Sequence, residues 1–497
     1  MPTKTEVAQL DVEEKCLPLL RQPALSLQEL KSRHVQFLRV MLALDQKLPA
    51  GFRGLDASHP WMVFWPVNAL ALLENPLSEA ELARVGATLI NCQHPEGGFG
   101  GGPGQPAHLA ATYSAIMALS HTGPEFWEQI DISNLLRWII SLKRADGSIS
   151  VCRHGEADPR TTYCALASLR LLNVHSPEVC SGIGAYIRSC QTYEGGFANQ
   201  PFGEAHGGYA FCSVATLMLL DPEDPRSGLK QFCNHAKLQR WLVSRQDLTV
   251  PGFSGRTNKL VDGCYSHWVG GCWPLIEQIT PDGSLFSRKG LRDYIVHCCQ
   301  IPQGGLCDKP GTRPDAYHTN YVLCGLSVAR YSYEMRNNSV FDWEASLVPE
   351  LAADTTNAVP PFNPVFGVPL QKIQKMHAWA VANKAPEPEV VPSSKEYQGF
   401  ALYVSATILL LAYLAWAWLP AETLRSLQIT YFPSRWWAVA VPAFFLMTWL
   451  YAFIAVPSYN TEKLTFPPNA PQTVGDRDTK VQDIPLVEVN KALYGRE

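Results

Sequence analysis

No two of the fourteen cysteines stand in a C-x-x-C pair, and none lies beyond Cys324, so neither a disulfide framework nor a zinc ribbon is written into the chain. Basic excess is also missing. A net charge of -4 and a pI near 6.4 exclude the broad cationic surface that nucleic acid requires. The first residues, MPTKTEVAQLDVEEK, lack the apolar stretch of a signal peptide, and unpaired thiols then fit a reducing cytosol. Strictly alternating strand patterns are scarce, and there is no Asp-rich acid motif of the terpene-cyclase kind. What charge there is serves locally.

The 497 residues exceed what one core usually supports, unless the fold repeats or closes on itself. Five segments do repeat: CQHPEGGFGGGPG, LKRADGSISVCRHGE, CQTYEGGFANQPFGE, RQDLTVPGFSGRTNK and CQIPQGGLCDKPG. Their glycines Gly98, Gly147, Gly196, Gly252 and Gly305 recur at 49, 49, 56 and 53 residues. Each turn leads into a helix rich in Ala, Cys, Ser and Leu, such as TYCALASLRLL, whose composition is that of a helix buried on two sides. The unit is helix, Gly-rich turn, helix. Closure into an α/α toroid (barrel) of repeated helix pairs is favoured over an open solenoid, because small inner helices crowd into a ring and the turns then open at one mouth.

Within GRTNKLVDGCYSHW, Asp262 and Cys264 supply oxygen and sulfur, and His318 supplies nitrogen from farther along. Such a set suits Zn²⁺ with a fourth position open. The alternatives are plainer: Arg256 and Lys259 as a solvated turn, His206 as a core histidine, Tyr265 and the other aromatics as ordinary core.

The stretches GLDASHPWMVFW, GGFGGGPGQPAHLA, GEADPRTTYCA, EAHGGYAFC, GRTNKLVDGCYSHW and GGLCDKPG with DAYHTNY resemble protein prenyltransferase β subunits over residues 30 to 382, most closely those of protein farnesyltransferase. The resemblance implies a heterodimer with a helical α subunit and a catalytic zinc on Asp262, Cys264 and His318. It also implies transfer of farnesyl from farnesyl diphosphate to a cysteine thiol near the C-terminus of substrate proteins. His206, Arg256, Lys259 and Tyr265 would stabilise the departing diphosphate as the catalytic set. Gly207, Gly208, Thr257, Asn258, Ser266 and His267 would join them in substrate binding. Trp61, Trp65, Tyr163, Tyr209, Trp268 and Tyr317, with Arg160 among them, would line the isoprenoid trough. Trp61 carries the chain-length expectation, since relatives using a twenty-carbon donor have a small residue there. Asp308, beside Lys309, is the Mg²⁺ candidate. His267 and Ala316 stand where this family has aromatics.

Residues 1–383 form the expected barrel and 384–395 a Pro-rich linker, followed by a membrane domain at 396–497 with a polar tail. Its uncharged runs, 400–419 and 436–456, are long enough to cross a bilayer. YQGFALYVSATILLLAYLAWAWLP, LQITYFPSRWWAVAVP and DIPLVEVNKALY resemble subunit P of the phosphatidylinositol N-acetylglucosaminyltransferase complex of glycolipid (GPI) anchor synthesis, a non-catalytic membrane hairpin. That resemblance implies the endoplasmic reticulum membrane and other subunits of that complex as partners; two spans keep both ends on one side, and the barrel's reduced thiols make that side the cytosol; without the C-terminal region the barrel would be cytoplasmic. Competing readings are a geranylgeranyltransferase β subunit and a membrane scaffold with a vestigial enzyme half.

Overall fold

A computed structural model describes residues 3–42, 55–280, 283–383 and 394–464, which fall into two compact units, Met1–Pro388 and Glu389–Glu497. The linker expected at 384–395 and the polar tail beyond 464 lie almost wholly outside the described residues.

In the first unit, small side chains decide which helices go inside. Every residue of Leu109–Leu119 except Ala110, and every residue of Pro159–Leu171 except Arg160, is buried. Gly207–Leu219 is similar. These three pack side by side in chain order, flanked by His59–Leu72 before them and by the short helices Tyr265–Trp268 and Cys272–Ile276 after. Ala316–Arg330 then packs against both Tyr265–Trp268 and His59–Leu72, which closes the ring. Amphipathic helices such as Glu79–Ile90, Ile132–Ser141 and His235–Val243 connect the inner ones on the outside. The toroid is therefore closed, not a solenoid.

Each Gly-rich turn is pinned by one antiparallel bridge: Gln93 to Phe99, Lys143 to Ile149, Gln191 to Phe197, Gln246 to Phe253 and Gln300 to Leu306. Aligned on these bridges, Gly147 corresponds to Gly97, Gly195 and Gly304, not to Gly98. All four hold φ between +90° and +120°, where a side chain is strained. The second glycine has a different task. A Cβ on Gly98 would stand 2.5 Å from the Trp138 ring, and one on Gly196 would stand 2.7 Å from Trp241.

The floor of the ring is Phe362–Pro369. Tyr113 Oη donates to Phe366 O at 3.1 Å, Tyr163 Oη to Val365 O at 2.7 Å, and Asn68 Nδ2 to Gly367 O at 2.8 Å. One element departs from the all-α expectation: Tyr331–Met335 pairs antiparallel with Trp343–Leu347 as a two-stranded hairpin, with Tyr333 opposite Ala345. The alternation in YSYEM is real but only five residues long.

The second unit contains helices Ser394–Trp418 and Trp437–Leu464, joined through the short helix Ala421–Ser426. Gln398–Trp418 and Trp437–Asn460 are long and apolar enough to cross a membrane. They are fastened as a hairpin by Tyr413 Oη donating to Ala438 O and Trp416 Nε1 donating to Pro433 O at 2.9 Å. Pro442 and Pro457 sit inside the second helix, which lipid tolerates when neighbours satisfy the freed carbonyls.

Candidate active site

Helix starts build the mouth. His108, Asp158, His206 and Asp315 each cap an inner helix through a side-chain acceptor, so their side chains and the free N–H ends of those helices face the same opening. The positive helix ends make that opening suited to anions.

Asp262, Cys264 and His318 converge there, with one donor atom from each lying within 4.8 Å of the others. His318 Nε2 is 3.3 Å from Asp262 Oδ1, and its Nδ1 is 2.7 Å from Asp315 Oδ2. Cys264 N donates to Asp262 Oδ1 at 2.8 Å. Burial lowers the proton affinity of His318, but its bonds to Asp262, Asp315 and Cys264 more than reverse this and raise it to about 12. Burial alone would push Asp262 up; hydrogen bonds from His318 and Cys264 hold it below the usual carboxylate range. Burial pushes the Cys264 thiol up to about 12. The oxygen, sulfur and nitrogen donors of Asp262, Cys264 and His318 converge on one point, a set that matches Zn²⁺. Asp315, absent from the sequence-derived set, orients the imidazole from behind as carboxylates do in such sites. Its signal was available, since D-x-x-H at a helix start places both on one turn.

Beside this set, His206 Nδ1 accepts from Gly208 N at 3.0 Å, and Nε2 lies 3.1 Å from Tyr265 Oη. Burial, helped by Arg256 and Arg160, lowers His206 to about 4, so the ring is neutral. With Nδ1 accepting, the proton sits on Nε2 and is given to Tyr265 Oη. The tyrosine's own proton is then free for a ligand. Its ring fits only because Gly207 and Gly255 have no side chains: a Cβ on Gly255 would lie 1.9 Å from the tyrosine Cζ.

Below the mouth is an apolar cavity of about 410 Å³. Trp61, Trp65, Tyr163, Trp268 and Tyr317 line it, together with Arg160, His206, Gly208 and Tyr265. Tyr113 and Tyr321, not singled out from sequence, complete the wall. Trp268 Nε1 donates to Tyr317 Oη at 2.8 Å, and Tyr113 Oη meets Tyr163 Oη at 3.1 Å. Arg160 is clamped to Asp158 by Nε at 3.1 Å and Nη2 at 2.5 Å, and lies 5.1 Å over the Tyr209 ring.

Other sequence-derived positions sit elsewhere. Ser266 is packed against Gly325, and His267 lies behind the cavity wall with its ring 4.6 Å from Phe211 and 5.0 Å from Tyr321. Gly207 serves the Tyr265 ring, and Tyr209 serves Arg160. Arg256 Nη1 pairs with Glu204 at 3.1 Å, and Thr257 Oγ1 donates to Glu194 at 2.9 Å. Thr257, Asn258 and Lys259 line a separate cavity. Both Asp308 oxygens are engaged locally, one by Lys309 Nζ at 2.5 Å and the other by Thr312 Oγ1 and by Lys309 N at 2.7 Å.

A closed helical ring, an apolar cavity and a metal-competent donor set at one mouth define an α/α toroid enzyme scaffold. The chain belongs to the prenyltransferase alpha-alpha toroid family, whose model matches residues 30–368. Within it, the chain groups with protein farnesyltransferase β subunits. It is 42% identical to that of Pyricularia oryzae over 70% of this chain and 73% of the relative. It is 35% identical to that of Schizosaccharomyces pombe over 77% and 98%, and 41% identical to that of Saccharomyces cerevisiae over 71% and 80%. Candida albicans protein geranylgeranyltransferase-I complexed with GGPP shares the fold, with a TM-score of 0.56 at 20% identity, covering 71% of this chain and 99% of that one. Residues 394–494 match the PIG-P family.

Proposed function

We propose that the chain is the catalytic β subunit of a zinc-dependent protein farnesyltransferase, joined to a PIG-P-type membrane subunit. The convergence of Asp262, Cys264 and His318 at the mouth of an aromatic cavity carries this reading. Those three side chains would hold Zn²⁺, which when bound lowers the pKa of a coordinated protein thiol so that it is a thiolate at neutral pH. The remaining work falls to the chain itself. The aromatic wall holds the isoprenoid and excludes water. Tyr265, oriented by His206, donates to the diphosphate as its charge builds, and Arg256 is positioned to fork onto the same oxygens once it leaves Glu204. Trp61 blocks the end of the trough and selects the fifteen-carbon donor. For Mg²⁺ the support is slighter, because Asp308 is already bonded to Lys309 and Thr312.

The helical α subunit, farnesyl diphosphate and proteins with a C-terminal cysteine motif are the partners in this reading. Residues 1–383 act as the enzyme, and the hairpin places it on the cytosolic face of the endoplasmic reticulum near other subunits of the GPI N-acetylglucosaminyltransferase complex. The test is zinc content and turnover of the full chain co-expressed with its α partner, using fifteen- and twenty-carbon donors before and after Trp61→Thr. Stoichiometric zinc, preference for the shorter donor and a shift toward the longer one in the variant are expected. No zinc and no transfer would leave the membrane scaffold; wild-type preference for the longer donor would make it a geranylgeranyltransferase.

A further inference from the structure

The N-terminal helix Lys4–Leu20 is thinly attached for its length. Of its seventeen residues only Val12 and Cys16 are buried. Its polar ties to the ring include Gln9 Nε2 donating to Asp247 Oδ2 at 3.2 Å and His297 Nδ1 donating to Leu19 O at 2.9 Å. The second tie marks where the helix lands, on Ile295–Cys299, a π-helical turn that leads into the fifth Gly-rich turn. Such turns are rare and recur at functional sites.

Cys16 and Cys298 meet in this contact. They are 0% and 3% exposed, both are free thiols, and their side chains are hydrogen-bonded to each other. The thiols next to them are spent on the backbone: Cys299 Sγ donates to Asp308 O at 3.8 Å, and Cys307 Sγ to Cys299 O at 3.4 Å and to Lys309 O at 3.2 Å. Within the pair the two sulfurs differ. The bond from Cys298 holds the Cys16 thiol below its usual range, against its burial and with help from Lys309, whereas the same bond and burial push Cys298 up. A sulfur that gives up its proton beside one that keeps it is the arrangement of an attacking and a resolving thiol.

We propose that Cys16 and Cys298 form a redox pair, which a hydroperoxide oxidises to a disulfide that staples the N-terminal helix to the fifth repeat. With hydrogen peroxide, the Cys16 sulfur attacks one oxygen, the O–O bond breaks, and a sulfenic acid forms as the other oxygen leaves as water. The Cys298 sulfur then displaces the hydroxyl of that sulfenic acid, which makes the S–S bond and releases a second water. Two thiols lose two protons and two electrons, and the peroxide takes up both. Access comes from local opening, because a terminal helix held by two buried side chains opens more readily than the closed ring. Thiol–disulfide exchange with a reducing thiol pool returns the pair to the reduced state. None of this rests on the transferase reading.

The test treats the full chain, purified in detergent with its α partner, with one equivalent of hydrogen peroxide, alkylates it under denaturing conditions, and maps its cysteines by mass spectrometry without reduction. Free Cys16 and Cys298 should disappear together, one for one, into a linked peptide pair that dithiothreitol reverses. Amide hydrogen exchange across Lys4–Leu20 should slow at least tenfold in the oxidised form. Cys299→Ser should keep the link, and Cys298→Ser should abolish it and leave Cys16 as a sulfenic acid trapped by dimedone. The wild type alone reports the link, so the outcome does not depend on a variant that fails to fold. Cys16 still free after other thiols have been oxidised, a link from Cys16 to Cys299 or Cys307, or a link that forms only in urea would overturn the pair. A link with unchanged exchange would overturn the staple.

Discussion

Single side chains carry two predictions. Tyr265→Phe keeps the ring between Gly207 and Gly255 and removes only the donor that His206 directs outward. Transfer should slow by at most on the order of a hundredfold, the scale of one preorganised donor, with zinc content unchanged; an undiminished single-turnover rate would take Tyr265 out of the chemistry. His267 is buried among Phe211, Trp268, Tyr321 and Phe362 with Nδ1 unbonded. Burial lowers it to about 3. The unfolded chain takes up a proton near pH 6.5, whereas the folded one resists until about 3, so stability present above pH 6.5 is lost as pH falls through that window. His267→Phe should flatten the acid limb of urea midpoints measured from pH 7 to 4, while an unchanged slope would assign acid sensitivity to other groups, such as His121, lowered to about 3 by burial and by Lys372.

At the scale of the element, the helix Ala316–Arg330 joins folding to chemistry through one residue. Asp315 caps its first turn by accepting from His318 N at 2.7 Å, and with its other oxygen it orients the His318 ring. Asp315→Asn retains a good cap but gives up the charge, so thermal stability should hold while zinc affinity falls about 10- to 100-fold. Asp315→Ala loses both and should cost about 1 kcal/mol more in stability. Competition with a chelator alongside a melting curve separates the two; equal melting losses in both variants would show that Asp315 does not cap. The helix pairs and their turns were legible in the sequence because the glycine spacing and the small residues repeat wherever backbone must approach backbone. The donor set was legible from residue type and order. What escaped is set by a local turn: the single helical turn Tyr265–Trp268 puts Ser266 and His267 behind the wall while Tyr265 and Trp268 face inward. Tyr113 and Tyr321 escaped because nothing in the sequence separates a core tyrosine from one on a cavity wall; both are almost wholly buried, and closure of the ring turns that core into the wall.

For the whole molecule, the consequential fact is that a toroid and a membrane hairpin share one chain. A farnesyl group contributes roughly 0.8 kcal/mol per buried CH₂ to membrane partitioning, and a single lipid chain holds a protein to a bilayer only reversibly. An enzyme fixed at the membrane would make its product where it partitions, raising the local concentration of lipidated protein without any new contact. This requires both units in one mature polypeptide. Antibodies raised against the toroid and against residues 394–464 should therefore mark the same band, near the 55.1 kDa of the full sequence, in the membrane fraction after alkaline carbonate washing. Two apolar helices of this length would hold the chain in lipid by themselves, so high salt should not release that band, whereas detergent should. Two smaller bands, with the toroid in the soluble fraction, would separate the halves and leave the barrel as a cytoplasmic enzyme whose products reach membranes by diffusion.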